Sequence, residues 1–259
     1  MVTVAIMQPT YLPWLGYFDL MDQADVFVFL DDVQFAKRSW QQRNQIRGPR
    51  GLEWLSVPVL TRTRRFQSIR EVEIVDPPTF VAQHRAKVED RYRATPHFDA
   101  FAPRLFATLE AASVSGLLAE LNMGLIEMLA EQSGIRVPRL LSSSRIEAGS
   151  GKVERLVDIC RALGADRYLS PLGSAGYLSG AADDFTLLGV DLVFHDYTHP
   201  SYPQLHAPFI PYASVVDLLF NDLPGAAERI REGRRDPLDA AAGQRVWSEA
   251  TLHQRTGEP

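Results

Sequence analysis

Apolar positions recur along this chain in two rhythms. Short β-branched runs, Val2 to Met7 and Ala24 to Leu30, have the length and composition of buried strands. Between them Gln8-Pro9-Thr10 interrupts the pattern, since Pro9 has no amide hydrogen and Thr10 is a fitting cap. Gly16 to Met21 then has the spacing of a helix start, and Asp31-Asp32 closes the second run. Strand, polar turn, helix, strand and acidic pair together predict a βαβ unit. Open sheets of that kind hold ligands beyond the carboxyl ends of their strands. Polar residues gather at both of those ends, Gln8 to Tyr11 and Asp31 to Asn44, which makes them the first place to look for a site.

The alternation continues downstream. Gly48-Pro49-Arg50-Gly51 reads as a hairpin turn ahead of a strand from Leu52 to Val59. Ile69 to Val75 alternates apolar and charged residues, predicting a half-exposed strand. Asp76-Pro77-Pro78-Thr79 supplies start signals for a helix over Phe80 to Tyr92, and helical spacing persists from Phe98 to Ser133. Further strands are expected at Ile135 to Leu141, Arg167 to Ser170 and Val190 to His195, with helices at Lys152 to Leu163 and Ser214 to Phe220. The expected fold is α/β, a mostly parallel Rossmann-like sheet flanked by helices with a helical insertion in the middle. Residues 1–225 form one domain in this reading, about 80–133 being the insertion, and 226–259 a charged tail with a frayed helix.

Composition narrows the class. The 259 residues are 46% hydrophobic and 23% charged, globular values that support a full core. A net charge of −5 argues against a nucleic-acid partner. A single cysteine, Cys160, rules out an intrachain disulfide and fits a reducing compartment. No run approaches the roughly 18 apolar residues of a membrane span, and no signal-like segment opens the chain, so a cytoplasmic protein is expected.

Candidate chemistry follows from the polar clusters. Asp31 stands at a strand end ahead of Gln34, Lys37, Arg38, Arg43 and Asn44: a carboxylate to act as base or orient an amine, cations to grip an anion, amides to fix its position. Gln8, Tyr11 and Tyr17 surround the first strand end, with Trp14 between them, and aromatic rings with polar tips suit a small-molecule pocket. His84 lies on a helix and titrates near neutrality, so it is the candidate general base, with His97, His195, His199 and His206 as other options. Ser170 to Gly173 closes a strand where backbone amides can meet a phosphate or carboxylate. Each also has a plain structural reading: surface ion pairs, an aromatic cluster, a hydrogen-bonded helical histidine, a tight turn. No histidine spacing matches a zinc template, and no metal is expected. GxSxG, HExxH, Walker A and complete GxGxxG patterns are all missing from the sequence.

The stretch QPTYLPWLGYFDLMDQADVFVFLDDVQFAKRSWQQRNQI resembles the signature of the WbqC-like protein family. The likeness continues through PPTFVAQHRAKVEDRY and RYLSPLGSAGYL, to about Asn221. It implies a histidine role at the position of His84, an association with O-antigen or other surface-polysaccharide and natural-product biosynthesis, and a transferase role. Asp32 stands where Asn or Asp is expected, and the chain departs from the pattern in its charged tail. A weaker likeness, in the turn between the first strand and LGYF, is to nucleotidylyltransferases, but Gly16-Tyr17 stands where their Gly-His would be. On these grounds the leading expectation is an acyl or aminoacyl transferase. Its donor would be phosphopantetheine-linked, on coenzyme A or an acyl or peptidyl carrier protein, or nucleotide-bound, and its acceptor an amine or hydroxyl. His84, Asp31 and Lys37 would act in catalysis, with Gln8, Tyr11, Tyr17, Gln34, Arg38, Arg43, Asn44, Ser170 and Gly173 binding substrate. The alternatives are a non-catalytic protein that binds a nucleotide-sugar or carrier-bound intermediate, and a nucleotidylyltransferase-like enzyme.

Overall fold

A computed structural model describes residues 1–62, 64 and 66–256, the last four of them by backbone alone. In chain order it runs β1 (Thr3–Met7), α1 (Leu15–Asp22), β2 (Val26–Phe29), then the hairpin β3 (Arg43–Gly48) and β4 (Gly51–Ser56). Three helices follow, α2 (Pro77–Tyr92), α3 (Phe98–Ser113) and α4 (Leu118–Gln132). Next come β5 (Arg139–Ser142), α5 (Lys152–Ala162), β6 (Arg167–Pro171), the short α6 (Ala175–Leu178) and α7 (Ala182–Thr186), and β7 (Asp191–His195). The chain closes with α8 (Val215–Asn221), α9 (Ala226–Glu232) and α10 (Ala240–Thr256).

Five strands form one parallel sheet in the order β5-β2-β1-β6-β7. The Rossmann-like α/β architecture expected from the alternation is therefore what the chain adopts. Both faces are covered, which is why β1 and β2 read as unbroken apolar runs. Ala5, Phe27 and Phe29 point into a large core shared with α1, the hairpin, α2–α4 and α8. Val4, Ile6, Val26 and Val28 point into a second core with α5, α6 and Phe185. The connection from β2 to β5 carries the hairpin as well as α2–α4, so the insertion is wider than its helices.

Local sequence explains most boundaries. Asp76 caps α2 by accepting from the Thr79 amide at 3.3 Å, with Pro77 and Pro78 in the first turn. Helix α1 starts at Leu15 behind Trp14, not behind Thr10, and a Cβ at Gly16 would run into the Trp14 indole. Two expectations give way to tertiary context. Ile69–Glu71 is a 3-10 turn closed by Ser68 and Glu71, leaving only isolated bridges at Glu73 and Ile74 where a strand was expected. Residues 226–256, read as a charged tail, form α9 and α10, while 257–259 lie outside the described residues. Leu238 pairs with Phe194 in both directions, covering the free edge of β7, and the Trp247 indole fills the space a Cβ at Gly176 would need. No helix among the described residues is long and apolar enough to cross a membrane.

Candidate functional site

The strand order reverses at β1: β2 lies on one side of it and β6 on the other. Such a switch point opens a crevice at the carboxyl ends of the two central strands, because the connecting helices leave on opposite faces. A cleft of about 660 Å³ occupies that position, lined at its base by Met7, Gln8, Pro171, Leu172 and Gly173. Its walls are Trp14, Tyr17, Trp40, Tyr168, Tyr177 and Tyr197. An adjoining chamber of about 290 Å³ shares Met7, Trp14, Tyr17 and Trp40 and adds Thr10, Asn44 and Tyr212. The cleft is larger than the depressions between α2 and α3 near Arg85 or beside Asp31, about 340 Å³ each, which lie off the switch point.

His195, the last residue of β7, lines the cleft and holds its reactive-looking geometry. Its Nε2–H donates to Asp19 Oδ2 at 2.7 Å, and Nδ1 has no hydrogen-bond partner among the described residues. Asp19 is wholly buried on α1 and also accepts from Gln23 Nε2 at 2.7 Å and Arg234 Nε at 2.8 Å. A buried carboxylate on Nε2 fixes the tautomer, so the lone pair resides on Nδ1. The ring stacks on Tyr197 with centroids 5.7 Å apart. Lys152, at the start of α5, lines the same cleft with Nζ 3.4 Å from the Tyr177 ring centroid. No carboxylate lines the cleft among the described residues. Its charge balance therefore favours an anion.

The residues expected at the site divide. Gln8, Tyr17, Gly173 and Asn44 line the cleft or its chamber. Gln8 is oriented by Gln41, whose Nε2 donates to Gln8 Oε1 at 2.8 Å, which leaves the Gln8 amide hydrogens uncommitted to protein. Asn44 instead braces the turn after β1: its Nδ2 donates to the carbonyls of Tyr11 at 3.1 Å and Leu12 at 2.9 Å. That contact joins the first strand end to the hairpin, as the two polar clusters suggested.

The three expected catalytic residues lie elsewhere. His84 is buried at the hairpin–α2 junction, where it accepts from the Tyr11 hydroxyl at Nδ1 (2.8 Å) and donates from Nε2 to the Ser56 carbonyl (3.1 Å). Both nitrogens are taken, and burial pushes its pKa down to about 4, leaving a neutral packing residue. Tyr11 is likewise consumed, with its hydroxyl pKa driven far up by burial. Asp31 is buried at the β2–β5 end, accepting from Ser144 N (3.0 Å) and Ser144 Oγ (2.8 Å), with Ser143 Oγ 3.1 Å from its Oδ1. Asp32 accepts from Ser143 Oγ at 2.5 Å and pairs with Arg155. Lys37 is exposed, its Nζ 3.4 Å from the Thr61 carbonyl oxygen. Gln34 and Arg38 are exposed on the same loop, Arg43 lies over the Trp54 ring at 4.1 Å, and Ser170 is fully buried, none of them lining the cleft. Asp31 and Asp32 are spent on holding loops together, an arrangement that spacing alone could not distinguish from a binding site.

What spacing missed was the pairing of Asp19 with His195 across 176 residues, and Lys152. The one local signal was His195 at the end of an apolar strand, the position where open α/β sheets carry ligand groups. Among the described residues no three His, Cys, Asp or Glu side chains gather as a metal site. Cys160 is buried and its thiol is pushed up to about 12, so it is no nucleophile.

Comparison with known proteins agrees with the motif likeness. The model of the WbqC-like protein family matches residues 8–229. The chain is 35% identical over 236 residues to "Uncharacterized protein Rv1507c" of Mycobacterium tuberculosis (strain ATCC 25618 / H37Rv), covering 91% of this chain and all of that one. No solved structure matches the chain. With its signature block folded around the β1 strand end and the cleft beside it, the chain belongs to the WbqC-like protein family.

Proposed function

We propose that the protein is a group-transfer enzyme whose reaction centre is the switch-point cleft, with His195 as general base. The observation that carries this reading is the buried Asp19–His195 pair, whose free nitrogen belongs to a cleft wall and not to a packed core. In the reaction, an acceptor hydroxyl or amine gives its proton to His195 Nδ1 while its oxygen or nitrogen attacks the carbonyl carbon of an activated acyl or aminoacyl group. The bond from that carbon to the donor's sulfur or phosphate oxygen breaks. The proton then passes from Nδ1 to the departing thiolate or phosphate, restoring the neutral ring. Asp19 stabilises the imidazolium that forms between the two proton transfers. Lys152 supplies the cation for the phosphates of a phosphopantetheine or nucleotide donor, and Gln8 offers amide hydrogens at the β1 end. These residues take the roles expected of Lys37, Asp31 and His84, whose side chains lie outside the cleft.

Coenzyme A and ADP are suitable donor-like probes for hydrogen exchange. Protection is expected at the backbone of residues 7–8 and 172–177, weakened several-fold in Lys152→Ala and kept in His195→Gln. Protection centred instead on Asp31 and Ser144, or none with either probe, would reject the assignment. Probe binding with turnover that survives His195→Gln would leave a binding cleft without this base.

A further inference from the structure

We infer that the chamber beside Trp40 takes an uncharged, hydroxyl-bearing ring held by its faces, and that this ring is the acceptor; the second half rests on the group-transfer reading above. Two exposed aromatic side chains from distant segments border this small space. Trp40 is 52% exposed and Tyr212 57% exposed, large apolar areas to leave in water without a partner. Trp40 belongs to a cluster: the Arg43 guanidinium lies 4.1 Å over the Trp54 ring, and the Trp54 and Trp40 rings meet at a tilt of 36° with centroids 5.5 Å apart. That cluster holds the indole, which lines the chamber. Tyr212 is held at φ +66°, a left-handed conformation that a tyrosine adopts only against strain. Its ring meets Trp14, 5.6 Å away, on the chamber wall.

The chemistry of the walls selects the occupant. No lining residue of the chamber is charged, so an ionised group seated there would be desolvated without compensation. Asn44 has no hydrogen left to donate, since its Nδ2 already serves two carbonyls, while its Oδ1 accepts from the Gln45 amide at 2.8 Å and keeps a second lone pair for a hydroxyl. Thr10 remains as a side-chain hydroxyl at the rim. At about 290 Å³ the chamber is at the lower limit for small-molecule sites, room for one substituted ring and not for a dinucleotide. Trp14 and Tyr17 are common to chamber and cleft, so a hydroxyl on such a ring can be presented to the side where His195 lies. A pyranose offers an apolar C–H face and a nucleoside an aromatic base beside a hydroxyl-bearing ribose ring, both neutral, and the test separates them.

Binding of methyl glucopyranoside, adenosine and methyl glucuronide is measured by calorimetry on the full chain. A neutral probe is expected to bind, and Trp40→Ala and Tyr212→Ala to weaken it about tenfold while Trp40→Phe restores most of the affinity. Lys152→Ala should leave it unchanged, and the carboxylate of methyl glucuronide should abolish binding. Whichever neutral ring binds assigns the class. Equal binding of the uronide, indifference to both aromatic substitutions, or no neutral ring binding while coenzyme A or ADP still protects the cleft would overturn the inference alone. Loss of ring and donor-probe binding together would overturn the group-transfer reading with it. Both substituted side chains are more than half exposed, so unchanged thermal unfolding confirms that the variants fold.

Discussion

Two polar clusters stand on the carboxyl edge of the same sheet, and they differ in what their acids do. At the β2–β5 end, Asp31 and Asp32 are saturated by Ser143, Ser144 and Arg155, so every acceptor has a donor inside the fold. At the β1–β6–β7 end, Asp19 is just as deeply held, yet its pairing with His195 leaves a ring nitrogen uncommitted in a cleft wall. The first cluster is a clasp between two strands; the second is a support for a group that is not itself satisfied. Asp31 and Asp19 are both buried. What separates them is whether the hydrogen-bond inventory closes within the protein.

The largest effect that could break this contrast is at His195. Replacing it with Gln, which can still donate to Asp19, should cut turnover by about 10²–10⁴-fold with the fold intact; an unchanged rate would dissolve the distinction. His84, the buried histidine outside the cleft, sharpens it next. His84 titrates near 4 in the folded chain and near 6.5 when unfolded, so its contribution is complete above about pH 6.5. As pH falls from there toward 4 the unfolded state takes up a proton the folded state refuses, at a cost of about 3 kcal/mol. Urea unfolding at pH 7 and pH 4.5 should show that loss in the native protein and much less of it in His84→Gln. Turnover at pH 7 should barely change in that variant.

Smaller again is Asp31→Ala. It strands the Ser144 hydroxyl and the Ser144 amide, and should destabilise the protein by about 1–3 kcal/mol in denaturant titrations without altering the per-molecule rate. A specific loss of turnover there would move the site to the other end of the sheet. Lys37→Ala closes the series: as an exposed side chain with one long contact, it should shift stability by no more than about 0.5 kcal/mol and leave coenzyme A binding unchanged.

The sequence made legible what local physics governs. Unbroken apolar runs at Val2 to Met7 and Ala24 to Leu30 became the central parallel strands, and Asp76 with its two prolines announced α2. The convergence of Gln8 and Asn44 on one region was also readable, because β1 and the hairpin share the turn that Asn44 braces. Partnerships across long separations were not. Asp19 reads as one polar residue on an apolar helix until His195, 176 positions on, supplies its meaning. Asp31-Asp32 reads as a site until serines and an arginine more than 100 positions later close around it. Helix α10 is rich in alanine, arginine and glutamine with few apolar residues, and its hold on the sheet depends on Trp247 meeting a glycine that periodicity cannot locate.

Arg234 gives the C-terminal segment a consequence for how the protein is handled. The family match stops at residue 229, five positions before the guanidinium that grips both Asp19 and Asp22. A shortened gene product trimmed where that match ends would keep the histidine and its acid but discard the cation that neutralises that acid, along with the Leu238 cover on the outermost strand. Such a trimmed chain would leave a buried carboxylate short of its countercharge, and inactivity in it would say nothing against the cleft.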